Sequence, residues 1–100
     1  MPIWGRRSAP DAHARWVRAR GIVVSGLRAN PVVVLFDPDL IAALDDPGAD
    51  LELETFGFDS LARLEFAVHL SAEHGIEVTA EEIERHRTLS DLTGLVASLL

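Results

Sequence analysis

The sequence predicts a mostly helical protein built on one core, and three observations carry that expectation. A chain of 100 residues has material for one small domain. Its C-terminal two-thirds holds three helix-start signals, at Asp37-Pro38, at Thr79-Ala80-Glu81-Glu82 and at Thr88-Leu89-Ser90-Asp91. Between them, Ser60 to His74 repeats apolar residues at helical spacing and meets a stop at Gly75.

Composition removes several classes of function. With 48% hydrophobic and 25% charged residues the chain reads as an ordinary globular protein. It has no cysteine, which excludes disulfides, thiolate metal ligands and thiol nucleophiles. No uninterrupted apolar run is longer than Val32 to Phe36, which is far short of a membrane span, so no membrane partner is expected. The N-terminus lacks the charge-then-apolar order of a secretory signal, which makes a cytoplasmic location the expectation. Its initiating methionine is the start expected of a free protein.

The net charge of −7 hides a division. Residues 1–36 carry six arginines against Asp11, a net of +5, whereas residues 37–100 carry three arginines against fifteen carboxylates, a net of −12. There is no lysine. The acidic part would draw basic partners and repel nucleic acid. On this division, residues 1–36 are expected to be a basic extension packing on or preceding the bundle, and 37–100 the functional domain.

Met1 to Pro10, with two prolines and no apolar period, reads as loose chain. Asp11 to Arg20 fits a short helix with Ala12, Trp16 and Ala19 on one side. Ile22-Val23-Val24 and Val32 to Phe36 are β-branched runs separated by Gly26 and Asn30-Pro31, a pattern that favours a short β-hairpin near 22–36. An irregular apolar wrap over a helical core is the competing reading. Asp37 caps a helix with Pro38 at its first position, running through Leu40, Ile41 and Leu44 until Pro47. In the following loop Leu51, Leu53 and Phe56 are expected to enter the core. A helix from Ser60 to His74, a short one from the Thr79 capping box to about Arg87, and a last one from Thr88 complete the chain. The last helix shows Leu92, Leu95, Val96, Leu99 and Leu100 as its apolar face.

The stretch with chemical content is Gly57-Phe58-Asp59-Ser60-Leu61. A hydroxyl at a helix start sits among unpaired N–H groups at the positive end of the dipole, a field that accommodates phosphate. The plain alternative is that Ser60 is only a helix cap. Along the helix, Phe66 and Leu70 form one apolar line with Ala67 beside it, and Leu61, Leu64 and Val68 form a second; Glu65, His69 and Glu73 occupy the polar face. Either both lines are core, or the second is an apolar docking stripe edged with acid. The residues alone leave these level.

Here the chain resembles the acyl carrier protein family. The motif G-x-D-S-L reads Gly57, Asp59, Ser60 and Leu61; an acid stands five positions after the serine, at Glu65; Gly75-Ile76 forms the next turn; and Thr88-Leu89-Ser90-Asp91-Leu92 opens the last helix. The spacing holds over roughly residues 38–100. The resemblance implies an acyl-carrier-like four-helix bundle in which Ser60 carries 4'-phosphopantetheine, with Asp59 and Leu61 flanking the attachment. It implies that Leu61, Leu64, Glu65 and Val68 are recognised by partners. Those would be a phosphopantetheinyl transferase and acyl-loading and acyl-chain synthase enzymes with basic docking surfaces. It also implies a cavity able to shelter the acyl chain. Two departures stand out. The family's first helix is normally long and ends about twenty residues before the serine, where this chain has Asn30-Pro31 and a valine run. Ser71 and Ala72 fall where many members carry further acids. Asp59 resembles carriers of fatty acid and polyketide pathways, whereas histidine is common there in peptidyl carriers. The arginine-only, alanine-rich composition favours polyketide or other specialised acyl-chain biosynthesis.

Rival chemistries find less support. Ala62 stands where a G-x-S-x-G nucleophile elbow needs glycine, and nothing selects one of the four histidines for a triad. His69, His74 and His86 lack zinc-ligand spacing and read as solvated helix positions. The arginines interleaved with Trp4 and Trp16 suggest nucleic-acid or membrane-surface contact, but the helices after residue 37 are acidic. The expectation is therefore a carrier with no catalytic residue and no metal. The alternative is an unmodified carrier-like bundle acting as a protein–protein interaction module.

Overall fold

In the computed structural model, residues 3–100 are described, with side chains from residue 12 onward. Five α-helices follow one another: α1 Ile3–Ala29, α2 Pro38–Asp45, α3 Ser60–His74, α4 Ala80–Glu84 and α5 Leu89–Ser98, with a 3₁₀ turn at Leu53–Phe56 before α3. Helix α1 lies mainly along α5 and also touches α3, and α4 packs on α3. The fold is the acyl-carrier-like helical bundle expected; its long first helix, α1, ends at Ala29, farther before Ser60 than the resemblance implies.

The first third differs from expectation. No strand forms among the described residues, and the hairpin near 22–36 is replaced by helix to Ala29 and irregular chain beyond. The helix read at 11–20 is the middle of a much longer one, and residues 3–10, read as loose, belong to it. Met1 and Pro2 lie outside the described residues, as do the side chains of Trp4, Arg6 and Arg7. The physical reason is burial. Ala19, Ile22, Val23 and Leu27 recur at three- and four-residue intervals and are all in the core. Packing one face of a helix against α5 and α3 outweighs the modest strand preference of Ile22-Val23-Val24. Helix α1 stops at Ala29 because Pro31 disfavours helical backbone at Asn30. From Val32 to Phe36 the chain is the irregular apolar wrap: Val32, Val33 and Leu35 are half-buried against the core, and the Val34 N–H donates to the Phe56 carbonyl at 2.7 Å.

The remaining elements start where their caps stand. Asp37 accepts from the Asp39 N–H at 2.9 Å, with Pro38 at the first helical position of α2. Thr79 accepts from the Glu82 N–H at 3.1 Å and Thr88 from the Asp91 N–H at 3.1 Å, opening α4 and α5. Helix α4 ends at Glu84, short of Arg87. Gly75, with φ 64°, closes α3 in the left-handed region that glycine enters without strain. Leu53, Phe56 and Phe58 enter the core, joined by Phe66, Leu70, Ile76, Ile83, Leu89, Leu92 and Val96. On α5 the buried face includes Thr93, whose hydroxyl donates to the Leu89 carbonyl at 2.7 Å, whereas Leu99 and Leu100 are exposed.

Two polar ties bind α1 to the rest. Arg20 is buried, and its guanidinium donates to the carbonyls of Asp46 at 3.0 Å and Ala49 at 3.1 Å, holding the loop after α2. Arg28 pairs with Asp45 at 2.6 Å. The Asp50 carboxylate accepts from the Ser90 N–H at 2.9 Å and so joins the loop before the 3₁₀ turn to the first turn of α5. An antiparallel bridge between Glu52 and Thr88 runs alongside.

Candidate functional site

The five residues before and into α3 divide their work by side chain. Gly57 takes φ 74°, a left-handed turn that ends the 3₁₀ segment and reverses the chain. Phe58 then drops into the core and meets Phe66 edge-on, ring centroids 5.8 Å apart at 81°. Asp59 is the helix cap: its carboxylate accepts from the Ala62 N–H at 2.9 Å. Ser60 is therefore not the cap. It is the first residue of α3, exposed, with no hydrogen bond from its hydroxyl to another described residue. The Arg63 N–H bonds to the Asp59 carbonyl at 2.9 Å, so the first turn leaves the N–H groups of Ser60 and Leu61 facing outward without a backbone partner.

The two apolar lines of α3 part company. Phe66 and Leu70 are fully buried, together with Ala62. Leu61, Leu64 and Val68 are 53%, 53% and 58% exposed. Glu65 is exposed beside them. The second line is thus a surface stripe that starts next to Ser60, and the reading that made both lines core does not hold. The stripe, the acid and the serine lie on one helix and keep a fixed relation to each other.

Two hollows flank this helix. One, of about 400 Å³, opens beside the turn that leads into Ser60, between the 3₁₀ segment, the start of α3 and α4. Leu53, Phe58 and Ile83 give it an apolar floor, and its rim carries Glu52, Glu54, Asp59, Arg63, Glu84, His86 and Arg87. Arg63 donates to the Phe58 carbonyl at 3.3 Å and faces Glu84 at 3.9 Å. The other, of about 210 Å³, lies between α1 and α3 beside Glu65, Val68 and His69.

The histidines are not uniformly solvated. His74 is exposed, but His86 is half-buried with Nδ1 2.7 Å from the Glu82 carbonyl, and the Nε2 of His69 is buried without a partner. Ring packing of α3 against α1 accounts for His69: Gly26 leaves just enough room for the rings of Phe66 and His69. Among the described residues no cluster of three or more histidine and carboxylate side chains has the geometry of a metal site. No described helix is long and apolar enough to cross a membrane.

Sequence reasoning missed Asn30. Its side chain is buried, donating from Nδ2 to the Ala62 carbonyl at 2.8 Å and accepting at Oδ1 from the Val32 N–H at 2.9 Å. The signal available was Asn30-Pro31 at the end of a helix, which reads as a stop and says nothing of a partner thirty-two residues away.

Comparison with known proteins identifies this region. A family model described as phosphopantetheine attachment site matches residues 39–96, from α2 into α5. No curated protein and no solved structure gives a match.

Proposed function

Because the chain belongs to the phosphopantetheine attachment site family, the carrier domains of acyl carrier proteins, we propose that Ser60 is the modified residue and that the protein holds acyl intermediates for polyketide or other specialised acyl-chain biosynthesis. Members of the family carry a 4'-phosphopantetheine group covalently on a serine, act as carriers without catalysing reactions, and interact with phosphopantetheinyl transferases and synthase enzymes. The arm supplies a thiol on which an acyl group is held as a thioester.

One observation carries the assignment: Asp59 has taken over the capping bond, which leaves the Ser60 hydroxyl free at an exposed helix start. Neither of the other serines in the matched span presents an exposed hydroxyl without a partner. Ser71 donates to Glu77 at 2.7 Å in the last turns of α3, and Ser90 is half-buried with its N–H on Asp50. A phosphodiester on Ser60 Oγ meets the outward N–H groups of Ser60 and Leu61 and the positive end of α3. In the modification Ser60 Oγ forms the new bond to phosphorus and loses its proton, and the pyrophosphate bond of coenzyme A breaks to release the adenosine bisphosphate half.

The stripe Leu61, Leu64, Val68 with Glu65 is the surface we assign to the transferase and synthases. Its exposed apolar area suits repeated docking, and the acid at its edge suits basic partners. The polyketide reading draws support from the hollow beside Ser60. Its rim of carboxylates, arginines and a histidine offers hydrogen bonds to an acyl group bearing oxo or hydroxyl functions and a poor surface to a long saturated chain.

Intact mass tests both levels. The wild type, incubated with coenzyme A, magnesium and a broad-specificity transferase, gains one phosphopantetheine, and Ser60→Ala gains none while keeping its helical spectrum. A folded wild type that stays unmodified with several transferases overturns the carrier assignment in favour of an interaction module. Loading from octanoyl- and 3-oxooctanoyl-coenzyme A then compares the two chains. Slower thioester hydrolysis of the oxo form supports the polyketide reading, and better protection of the octanoyl form removes it.

A further inference from the structure

The geometry points to Asn30 as a positioning residue for the modification of Ser60, acting through a brace that runs from Asn30 to Val34. This rests on Ser60 being the attachment site. The brace touches the attachment turn from both sides. Ahead of the turn, the Val34 N–H donates to the Phe56 carbonyl at 2.7 Å, and the Val34 side chain stands 3.7 Å from where a side chain on Gly57 would begin. After it, Asn30 Nδ2 donates to the Ala62 carbonyl at 2.8 Å, two residues beyond Ser60. Oδ1 of the same amide accepts from Val32, which fixes the start of the brace.

The amide suits this place. A buried group here must give a proton to one carbonyl and receive one from an N–H, and asparagine does both in one plane. The two partners also leave only one orientation, because a flipped amide would set oxygen against oxygen and N–H against N–H. Aspartate has no proton to give to Ala62, and alanine leaves that carbonyl with its intrahelical bond alone.

What the brace fixes is the place of Ser60 relative to the bundle. Of the docking stripe, Leu61 shares the first turn with Ser60, whereas Leu64, Glu65 and Val68 lie beyond that turn on the part of α3 anchored by the buried Phe66 and Leu70. Loss of the brace therefore loosens the first turn, where the hydroxyl must be presented, and leaves Leu64, Glu65 and Val68, the greater part of the surface assigned to the transferase. Misplacement of a reacting group lowers the rate of the bound complex, and lost docking raises KM; the two are separable.

The test measures the rate of phosphopantetheine transfer by intact mass over a range of carrier concentrations, below the unfolding midpoint of every variant. The set is wild type, Asn30→Ala, Asn30→Asp, and Leu92→Val as a core variant on α5, which makes neither bond of the brace. The expected result is a kcat lowered about tenfold in both Asn30 variants with KM within about twofold of wild type. Leu92→Val keeps the wild-type kcat despite lower thermal stability. Wild-type kcat in the Asn30 variants overturns the proposal, as does an equal loss in Leu92→Val. Should the Asn30 variants fail to fold, Val34→Pro removes the other tie and decides by the same criterion. A wild type that accepts no arm removes the Ser60 assignment itself, and the brace with it, which is a different result from modified protein at unchanged rate.

Discussion

Two glycines of α1 differ only in what stands opposite them, and that difference sets opposite outcomes for the same substitution. A Cβ on Gly21 meets nothing within 4 Å, so Gly21→Ala removes backbone freedom from the unfolded chain and stabilises by up to about 1 kcal/mol. A Cβ on Gly26 stands 2.6 Å from the ring of Phe66 and 3.3 Å from that of His69. Phe66 is fully buried and set edge-on against Phe58, so its ring has little room to yield. Overpacking of this kind costs about 1–3 kcal/mol, against a propensity gain of about 1 kcal/mol. Thermal unfolding is therefore expected to show Gly21→Ala above wild type and Gly26→Ala below it. Equal midpoints for the two would mean that α1 and α3 are not in contact at Gly26. Asp59 and Ser60 likewise differ by their surroundings: neighbouring polar residues at one helix start have separate roles, because only one of them can accept from the Ala62 N–H.

At the scale of the element, α3 is a helix with two apolar lines of which only one, that of Phe66 and Leu70, is covered. Leu64→Arg adds a charge to a position already 53% exposed, so its effect on stability should stay within about 0.5 kcal/mol. On the transferase it should act as loss of a docking anchor, raising KM about tenfold or more with kcat little changed. That kinetic signature is the reverse of the one expected at Asn30. A Leu64→Arg protein with unchanged KM would move the docking surface elsewhere. The lines themselves were legible in the sequence, because 3.6-residue spacing marks them. Whether the second line is covered as well was not, since coverage depends on where α1 and α4 lie. The starts of α2, α4 and α5 were equally legible, because Asp37, Thr79 and Thr88 each cap with a bond that closes within three residues; α3 begins at Ser60 as expected, but its cap is Asp59 and not the serine. Helix α1 was not legible as one element. Its core positions Ala19, Ile22, Val23 and Leu27 keep helical spacing, but the β-branched triplet at 22–24 carries the local signature of a strand, and only the contact with α5 decides.

Taken whole, the molecule sets its charge division and its core at odds. Charge divides the chain near residue 36, and the family match begins at Asp39. The core does not divide there. Ile22, Val23 and Leu27 come from before that point and are buried with residues from every later helix. Each such side chain contributes about 1.5–3 kcal/mol when fully buried, so together they rival the 5–15 kcal/mol typical of a whole domain. Arg20 and Asn30 add the hydrogen bonds to Asp46, Ala49 and Ala62. A chain trimmed to residues 37–100 leaves the faces of α5 and α3 bare, and it is expected to lack a cooperative unfolding transition and to accept no phosphopantetheine. Circular dichroism on heating, with intact mass after transferase treatment, checks both. A trimmed chain that melts cooperatively and is modified at the wild-type rate would make α1 an appendage. The expected failure would place the carrier unit across the charge division, with the basic helix as one of its walls.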